Sequence, residues 1–407
     1  MVVTRGSLAP LVEIGPPLTP EDVRRYSRHL LLPQIGEAGQ RRLRNARVCV
    51  VGAGGLGAPV LLYLAAAGVG RLGVVDDDHV DVSNLQRQVI HGAADVGRLK
   101  VDSALDAVHR IDPSLDVVVH PVRLSIANVD DVLSGYDLVI DGTDNFPTRY
   151  LINDSCVRLG VPLVWGSIFQ FDAQVAVFWG RPPPESGALA VQLRDLFPAP
   201  PPAGSVPSCA EGGVLGALCG QVGSVMATEA VKLITGAGAA LLGRVLVLDG
   251  LEGRWTQIPL VADTTRSSSP PSEEDFEGRC GIGAGGGGGV VGLDPRVATL
   301  TAHQLKDRLV DRAAGGEEFL LVDVRELAER AIVAIPGAKP VPLGAIVDGS
   351  GLGDIPRDRP VVLYCRSGER SELAARGLLA AGYGDVTHLA GGVLAWIDQV
   401  APELTRY

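Results

Sequence analysis

The sequence predicts an α/β protein made of two units joined by a linker. Three observations carry this. Short β-rich runs alternate with helical segments from residue 47 onward. A glycine-rich turn, Gly52-Ala-Gly-Gly-Leu-Gly57, joins the first such run to the first such helix. A tract rich in Gly, Ser and Pro then separates this region from a second, shorter α/β stretch. The expected architecture is a Rossmann-like nucleotide-binding domain with a mixed, largely parallel sheet, followed by a smaller α/β domain.

The bulk numbers agree. The chain has 407 residues, more than one ordinary core accommodates. Hydrophobic residues make up 46% and charged residues 20%, which suits a folded chain rather than a disordered one. A net charge of −11 argues against a general nucleic-acid or membrane-surface binder. The N-terminal residues show no apolar segment of signal-peptide type. The longest charge-free stretches, such as 55–70 and 212–228, are rich in Gly and Ala and read as helices buried against a sheet, not as membrane spans. Six cysteines are scattered along the chain without a CxxC pair, so neither a disulfide framework nor a cysteine zinc site is indicated. A cytoplasmic location is expected.

Taken in order, residues 1–20 read as a loose arm. Thr19 followed by Glu21 and Asp22 marks a helix start, with a helix expected through 24–31. Strands are expected at 48–51 and 72–75, separated by a helix at 58–67. Further strands are expected at 137–140, 161–165 and 175–178. Proline clusters at 182–184 and 198–202 make 181–208 an irregular crossover. A helix over 216–234 and closing strands at 245–248 and 254–259 complete a domain over 21–261. Residues 262–292, with SSSPPSEED and GAGGGGG, form a flexible linker by composition. The second domain, 293–407, has expected strands at 319–324 and 361–364 and helices near 301–313 and 371–381.

GAGGLG follows a strand and opens a helix, a context that turns backbone N–H groups toward a phosphate. Asp76 ends the next strand, about 20 residues further on, where it can accept from a ribose. This fingerprint alone fits NAD, FAD or ATP. The neighbours favour a triphosphate: Asn84 and Arg87 in SNLQRQ, then Lys100, and earlier Arg28. A leaving pyrophosphate needs such cations more than a dinucleotide does. Asp144, in DGTDN after a strand, is placed to hold Mg²⁺ between phosphates. The candidate ATP set comprises Gly52, Gly54, Gly55 and Gly57, the acids Asp76 and Asp78, and the run Ser83, Asn84, Leu85, Gln86 and Arg87. Lys100, Asp144, Asn145 and Arg28 complete it.

RYSRHLLLPQIG, GAGGLG, DDDHVDVSNLQRQ, GRLK, DGTDNFPTRYLIND and PSCAEGGVLG occur in that order. Over about residues 20–260 the chain thereby resembles the ubiquitin-activating-enzyme-like adenylyltransferases of the MoeB and ThiF type. The resemblance implies that ATP adenylates the C-terminal Gly-Gly carboxylate of a small ubiquitin-like sulfur-carrier protein. It implies that Arg28, Arg87 and Lys100 contact the triphosphate, Asp76 the ribose and Asp144 the Mg²⁺. It also implies a homodimer in which Arg28 completes the partner's site. The CxxC pairs that bind structural zinc in bacterial members are missing: ALAVQLRDLF stands where the first would lie, and no cysteine lies between Trp255 and Cys280. A four-cysteine zinc site cannot be built, so no zinc is expected. This departure resembles the zinc-less actinobacterial branch with a fused sulfurtransferase.

Two cysteines can do chemistry. Cys209, in VPSCAEGG, is either a small buried residue or a loop thiol beside the adenylate, and it matches the family's catalytic loop cysteine. Cys49, Cys156 and Cys219 read as core, and Cys280 has no assigned role. Cys365 ends a strand, and CRSGERS leads directly into a helix. Inward N–H groups with Arg366 and Arg370 stabilise a thiolate and a bound anionic sulfur. The candidate persulfide loop is Cys365, Arg366, Ser367, Gly368, Glu369, Arg370 and Ser371. A tyrosine-phosphatase loop needs Cys-x5-Arg, so this loop is one residue short for phosphate. With LVDVRE, IPGA and LAGGVLAW, residues 293–407 resemble a rhodanese domain. That resemblance implies a Cys365 persulfide, loaded from thiosulfate or a cysteine desulfurase, which turns the adenylated carrier into a thiocarboxylate. Asp323 and Arg325 are expected to brace the loop. The rivals are an NAD-dependent dehydrogenase with a regulatory domain and a non-catalytic docking module.

Overall fold

A computed structural model describes residues 8–199, 213–263 and 297–406. They fall into two compact units, the first reaching to residue 263 and the second starting at 297. In the first unit eight strands form one sheet: β1 (Arg47–Val51), β2 (Arg71–Val75), β3 (Asp116–His120), β4 (Leu138–Asp141), β5 (Leu163–Phe169), β6 (Asp172–Phe178), β7 (Arg244–Asp249) and β8 (Arg254–Pro259). Their order is β3-β2-β1-β4-β5-β6-β7-β8. The five strands from β3 to β5 are parallel, and β6, β7 and β8 add antiparallel pairs. The strand order reverses direction between β1 and β4, which is where an open α/β sheet leaves a crevice at its strand ends.

The sequence explains this local structure. β1 reads RVCVV and is buried from its second residue onward, as a parallel strand covered on both faces must be. The helix Gly57–Ala67 reads GAPVLLYLAAA and is mostly buried. Gly68 ends it in the left-handed region at φ 78°. The helix Gly216–Thr235 packs against Gly57–Ala67 and against β5. Gly223 allows this approach, since a Cβ there would lie 2.3 Å from Pro59 Cγ.

Some expectations are corrected. The helix start at Thr19 is present, with a reciprocal Thr19–Asp22 capping box, but the helix expected through 24–31 is broken. Pro20–Arg25 and Ser27–Leu30 meet at Tyr26, whose buried ring fills the space beside Gly68. From residue 8 the arm is docked rather than loose. Leu11 N–H donates to Leu233 O at 2.9 Å, Arg41 Nη2 to Gly15 O at 2.8 Å, and Val12 is buried. The strand expected at 161–165 starts at Leu163 and runs on to Phe169. β3 was not anticipated, nor was the amphipathic helix Lys100–Ile111, which buries Val101, Ala104 and Val108. The linker expected at 262–292 lies almost wholly outside the described residues.

The second unit is a five-stranded, all-parallel sheet of β9 (Ala298–Leu300), β10 (Leu320–Asp323), β11 (Lys339–Pro340), β12 (Val361–Tyr364) and β13 (Val386–Leu389). The order is β11-β10-β12-β13-β9. The helices Ala302–Ala313 and Gly392–Gln399 pack together, as do Leu343–Val347 and Glu369–Ala380. The central strand β12 is fully buried and contributes to two separate apolar clusters. Among the described residues, no helix is long and apolar enough to cross a membrane.

Leu138 is fully buried at the start of β4. Leu138→Ala is expected to cost about 2–5 kcal/mol. A urea titration of the full chain reads this as a lowered first midpoint, and an unchanged curve would contradict the packing described.

Candidate functional site

A cavity of about 380 Å³ opens at the C-terminal ends of β1 and β4. Its floor is the turn from β1 into the helix Gly57–Ala67. Gly52 sits at φ 93°, and a Cβ on Gly57 would lie 1.8 Å from Gly52 O, so both positions require glycine. The turn is held from two sides. Ala53 N–H donates to Asp76 Oδ2 at 2.8 Å, and His91 Nε2 lies 3.0 Å from Ala53 O. His91 Nδ1 is 2.8 Å from Ser103 Oγ, so the ring donates from Nε2 to the carbonyl and accepts at Nδ1 from the hydroxyl. Burial lowers the His91 pKa, which keeps the ring neutral.

The charges cluster at one side. Lys100 is 6% exposed, and its Nζ donates to Asp78 Oδ2 at 2.7 Å and lies 4.0 Å from Asp76 Oδ1. Burial raises the Asp76 carboxyl above its ordinary value, against the pull of Lys100. Arg87 is fixed by its own turn, with Nη1 donating to Ser83 O at 2.9 Å. Asp144 and Asn145 are exposed where the chain leaves β4, and Asn145 Oδ1 caps the helix Phe146–Leu159 by accepting from Thr148 N–H. The acids Asp76, Asp77 and Asp78 lie together, with Lys100 bonded into the group.

The DGTDN loop is clamped by residues that sequence reasoning missed. Asp141 Oδ1 accepts from Thr143 N–H at 2.9 Å and from Thr143 Oγ1 at 2.7 Å. Arg149 is 5% exposed; its Nη2 donates to Thr143 O at 2.8 Å and its Nη1 to Ser167 Oγ at 3.0 Å. Its guanidinium stands over the rings of Phe146 and Trp165. Burial raises the Asp141 carboxyl, opposed by Arg149. Gln88 was also missed. Its amide lines the cavity, is 5% exposed, and leaves Oε1 without a partner among the described residues. The usable signals were the positions of Arg149 in DNFPTR and of Gln88 directly after Arg87.

In the second unit Cys365 follows the central strand β12 and is fully buried. Gly368 N–H points at its sulfur, at 3.1 Å, and Gly368 sits at φ 108° to begin the helix Glu369–Ala380. The chain at 391–392 closes over the loop. Val393 N–H donates to Cys365 O at 2.8 Å, and a Cβ on Gly392 would lie 2.4 Å from that oxygen. Beneath lies a dry ionic brace: Arg325 Nε and Nη2 donate to the two oxygens of Asp323 at 2.9 and 2.6 Å, and Tyr364 Oη donates to Asp323 Oδ2 at 2.8 Å. Both Asp323 and Arg325 are fully buried. They fix the strand end that carries Cys365.

A protein-family model described as the ThiF family matches residues 26–269, and one described as a rhodanese-like domain matches 301–399. The chain belongs to the ThiF family. "Probable adenylyltransferase/sulfurtransferase MoeZ" of Mycobacterium tuberculosis is 51% identical over 98% of this chain and 99% of that protein. "Sulfur carrier protein adenylyltransferase" of Thermus thermophilus is 49% identical over 65% of this chain and 98% of its own length. Among solved structures, E. coli MccB superposes with a TM-score of 0.52 at 19% identity, covering 60% of this chain and 71% of that one, a likeness of fold alone.

Within this ThiF-family fold the cavity brings together Gly52, Gly54, Gly55, Asp76, Asp78, Asn84, Arg87, Lys100, Asp144 and Asn145. It does not include Arg28, which is exposed on Ser27–Leu30, nor Ser83, Leu85 or Gln86. Gly57 acts from behind, by admitting the tight turn. Cys209 and Cys280 lie outside the described residues. Cys49 and Cys156 are core thiols whose pKa burial pushes up. Cys219 is buried as expected but also lines the cavity, its sulfur 2.9 Å from where a Gly55 Cβ would stand. Among the described residues, no His or Tyr lines the cavity. The Arg370 charge is not open as the sequence suggested, because Glu329 is bonded to it.

Removing the Arg149 clamp leaves Thr143 O unpaired in a buried setting. Arg149→Met is therefore expected to weaken ATP binding about tenfold, a loss the size of one good hydrogen bond. Titration calorimetry checks this; unchanged affinity would show that the loop needs no clamp.

Proposed function

We propose that this chain is an adenylyltransferase and sulfurtransferase that converts the C-terminal carboxylate of a small sulfur-carrier protein into a thiocarboxylate. The observation that carries the reading is one chain holding both a phosphate-sized turn ringed by Arg87, Lys100, Asp76 and Asp144 and a loop that aims a backbone N–H at Cys365. The names of the Mycobacterium and Thermus relatives support it.

Adenylation joins the carrier's terminal carboxylate oxygen to the α-phosphorus of ATP, and pyrophosphate leaves with the bonding pair. Backbone N–H groups at the start of Gly57–Ala67 face the phosphates, and Asp76 accepts from the ribose. Arg87 and Lys100 meet the charge that develops on the leaving group. Lys100 must exchange Asp78, its partner here, for phosphate oxygen. Asp144 offers an exposed carboxylate at the cavity to magnesium, which when bound would neutralise charge between phosphates. Arg28, exposed and away from its own cavity, is assigned to the cavity of a second copy in a homodimer.

Sulfur then moves by attack of the Cys365 persulfide on the acyl carbon, with AMP leaving. A thiolate, a role assigned to Cys209, attacks the Cys365 sulfur of the resulting acyl disulfide, the carrier thiocarboxylate leaves with the bonding pair, and the Cys209–Cys365 disulfide so formed is reduced by an external thiol before the next turnover. The sulfane sulfur comes from thiosulfate or a cysteine desulfurase. Zinc has no part in this scheme, and elemental analysis finding about one tightly held zinc per chain would oppose that.

The test is carrier-dependent exchange of labelled pyrophosphate into ATP, over a panel of Gly-Gly-ended carriers. Asp144→Ala is expected to reduce exchange at least about a hundredfold with the fold intact. Cys209→Ala should keep exchange and slow release of finished carrier, partly restored by a small thiol. No exchange with any carrier, alongside tight NAD binding, would overturn the reading.

A further inference from the structure

Two stretches of the first unit, 188–197 and 255–263, hold no CxxC pair, yet the structure joins them by other means. Asp195 lies in the one-turn helix Leu193–Leu196. Its Oδ1 accepts from Asp263 N–H at 2.8 Å and its Oδ2 from Gln192 N–H at 2.7 Å. One carboxylate thus ties the crossover after β6 to the chain leaving β8. The neighbouring Arg194 anchors the same turn elsewhere. Its Nε and Nη2 donate to Asp154 Oδ1 and Oδ2 at 3.0 and 2.7 Å, with side chains only 13% and 11% exposed. Asn153 Oδ1 accepts from Leu193 N–H at 2.9 Å. Asn153 and Asp154 belong to the helix Phe146–Leu159, whose first turn lines the cavity with Thr148 and Arg149.

A zinc ion does not fit at this place. Neither stretch holds a cysteine or a histidine, and both Asp195 oxygens already accept backbone N–H groups. The nearby Asp154 carboxylate is taken up by a guanidinium. Among the described residues, no three His, Cys, Asp or Glu side chains come together in these stretches.

We propose that Asp195, supported by the Arg194–Asp154 pair, is a metal-free staple that does the work of a structural zinc. It closes the crossover after β6 onto the exit of β8 and onto the helix that borders the cavity. Hydrogen bonds to an ionised acceptor, and two-pronged arginine pairs, are the strong ones. Unlike a thiolate site, such a staple needs no metal and presents no sulfur to an oxidant or a persulfide. It holds whether or not the chain adenylates a carrier.

Amide hydrogen exchange of the full chain, read residue by residue, tests this. In Asp195→Ala, exchange at the Gln192 and Asp263 N–H groups is expected to quicken about tenfold, the loss of one hydrogen bond at each. The amides of β1 and β4 should keep their rates, which shows the sheet intact. In wild type, 1,10-phenanthroline should change none of these rates. If Asp195→Ala does not fold, Asp195→Asn is read instead. Its amide keeps one acceptor oxygen, so one of the two N–H groups should lose protection and the other retain it. Unchanged exchange at both N–H groups in the variant, or faster exchange in wild type on chelation, overturns the staple.

Discussion

The passage of the chain from β1 into the helix Gly57–Ala67 is the constraint on which the first unit depends. The backbone turns so sharply that Gly57 rests on Gly52 O, with no room for a Cβ. That turn sets the helix start at the point where the strand order reverses, and so places N–H groups at the mouth of the cavity. Asp76 and His91 then hold Ala53 from opposite sides. Lys100, bonded beside Asp76, follows from the same geometry. The cavity is therefore a consequence of backbone path first and of side-chain charge second.

The second unit uses a related device at smaller scale. Its sheet is parallel throughout, and Cys365 follows the central strand, where a short glycine turn again starts a helix. What differs is the support. The Asp323, Arg325 and Tyr364 brace is dry, and removing one partner would strand a buried charge. Such a brace holds the strand end, while the Gly391 and Gly392 turn closes over the loop and the N–H groups of Val393 and Leu394 after it donate to the Cys365 and Arg366 carbonyls.

Much of this was legible in sequence because it rests on backbone requirements. Glycines at 52 and 57, an acid at 76 and a cysteine before a helix each have few structural alternatives. The strands β8 and β12 begin and end where their β-rich runs do, and β1 starts one residue earlier than its run. What escaped reading was what tertiary packing decides. Tyr26 breaks a helix because its ring is wanted beside Gly68, far along the chain. Arg149 looked like a surface helix residue, yet its guanidinium is drawn inward by Thr143 O and two aromatic rings. Arg370 read as open charge because nothing local reveals that Glu329, on a separate helix, reaches it.

The central claim is that sulfur passes through Cys365 to a carboxylate activated in the same chain. The most direct measurement follows isotopically labelled sulfane sulfur from donor to carrier, in the presence of ATP, in wild type and in Cys365→Ala. The account predicts labelled thiocarboxylate from wild type only when ATP is supplied. It predicts none from Cys365→Ala, although that variant still exchanges pyrophosphate. Labelled thiocarboxylate formed by Cys365→Ala at the wild-type rate would contradict it.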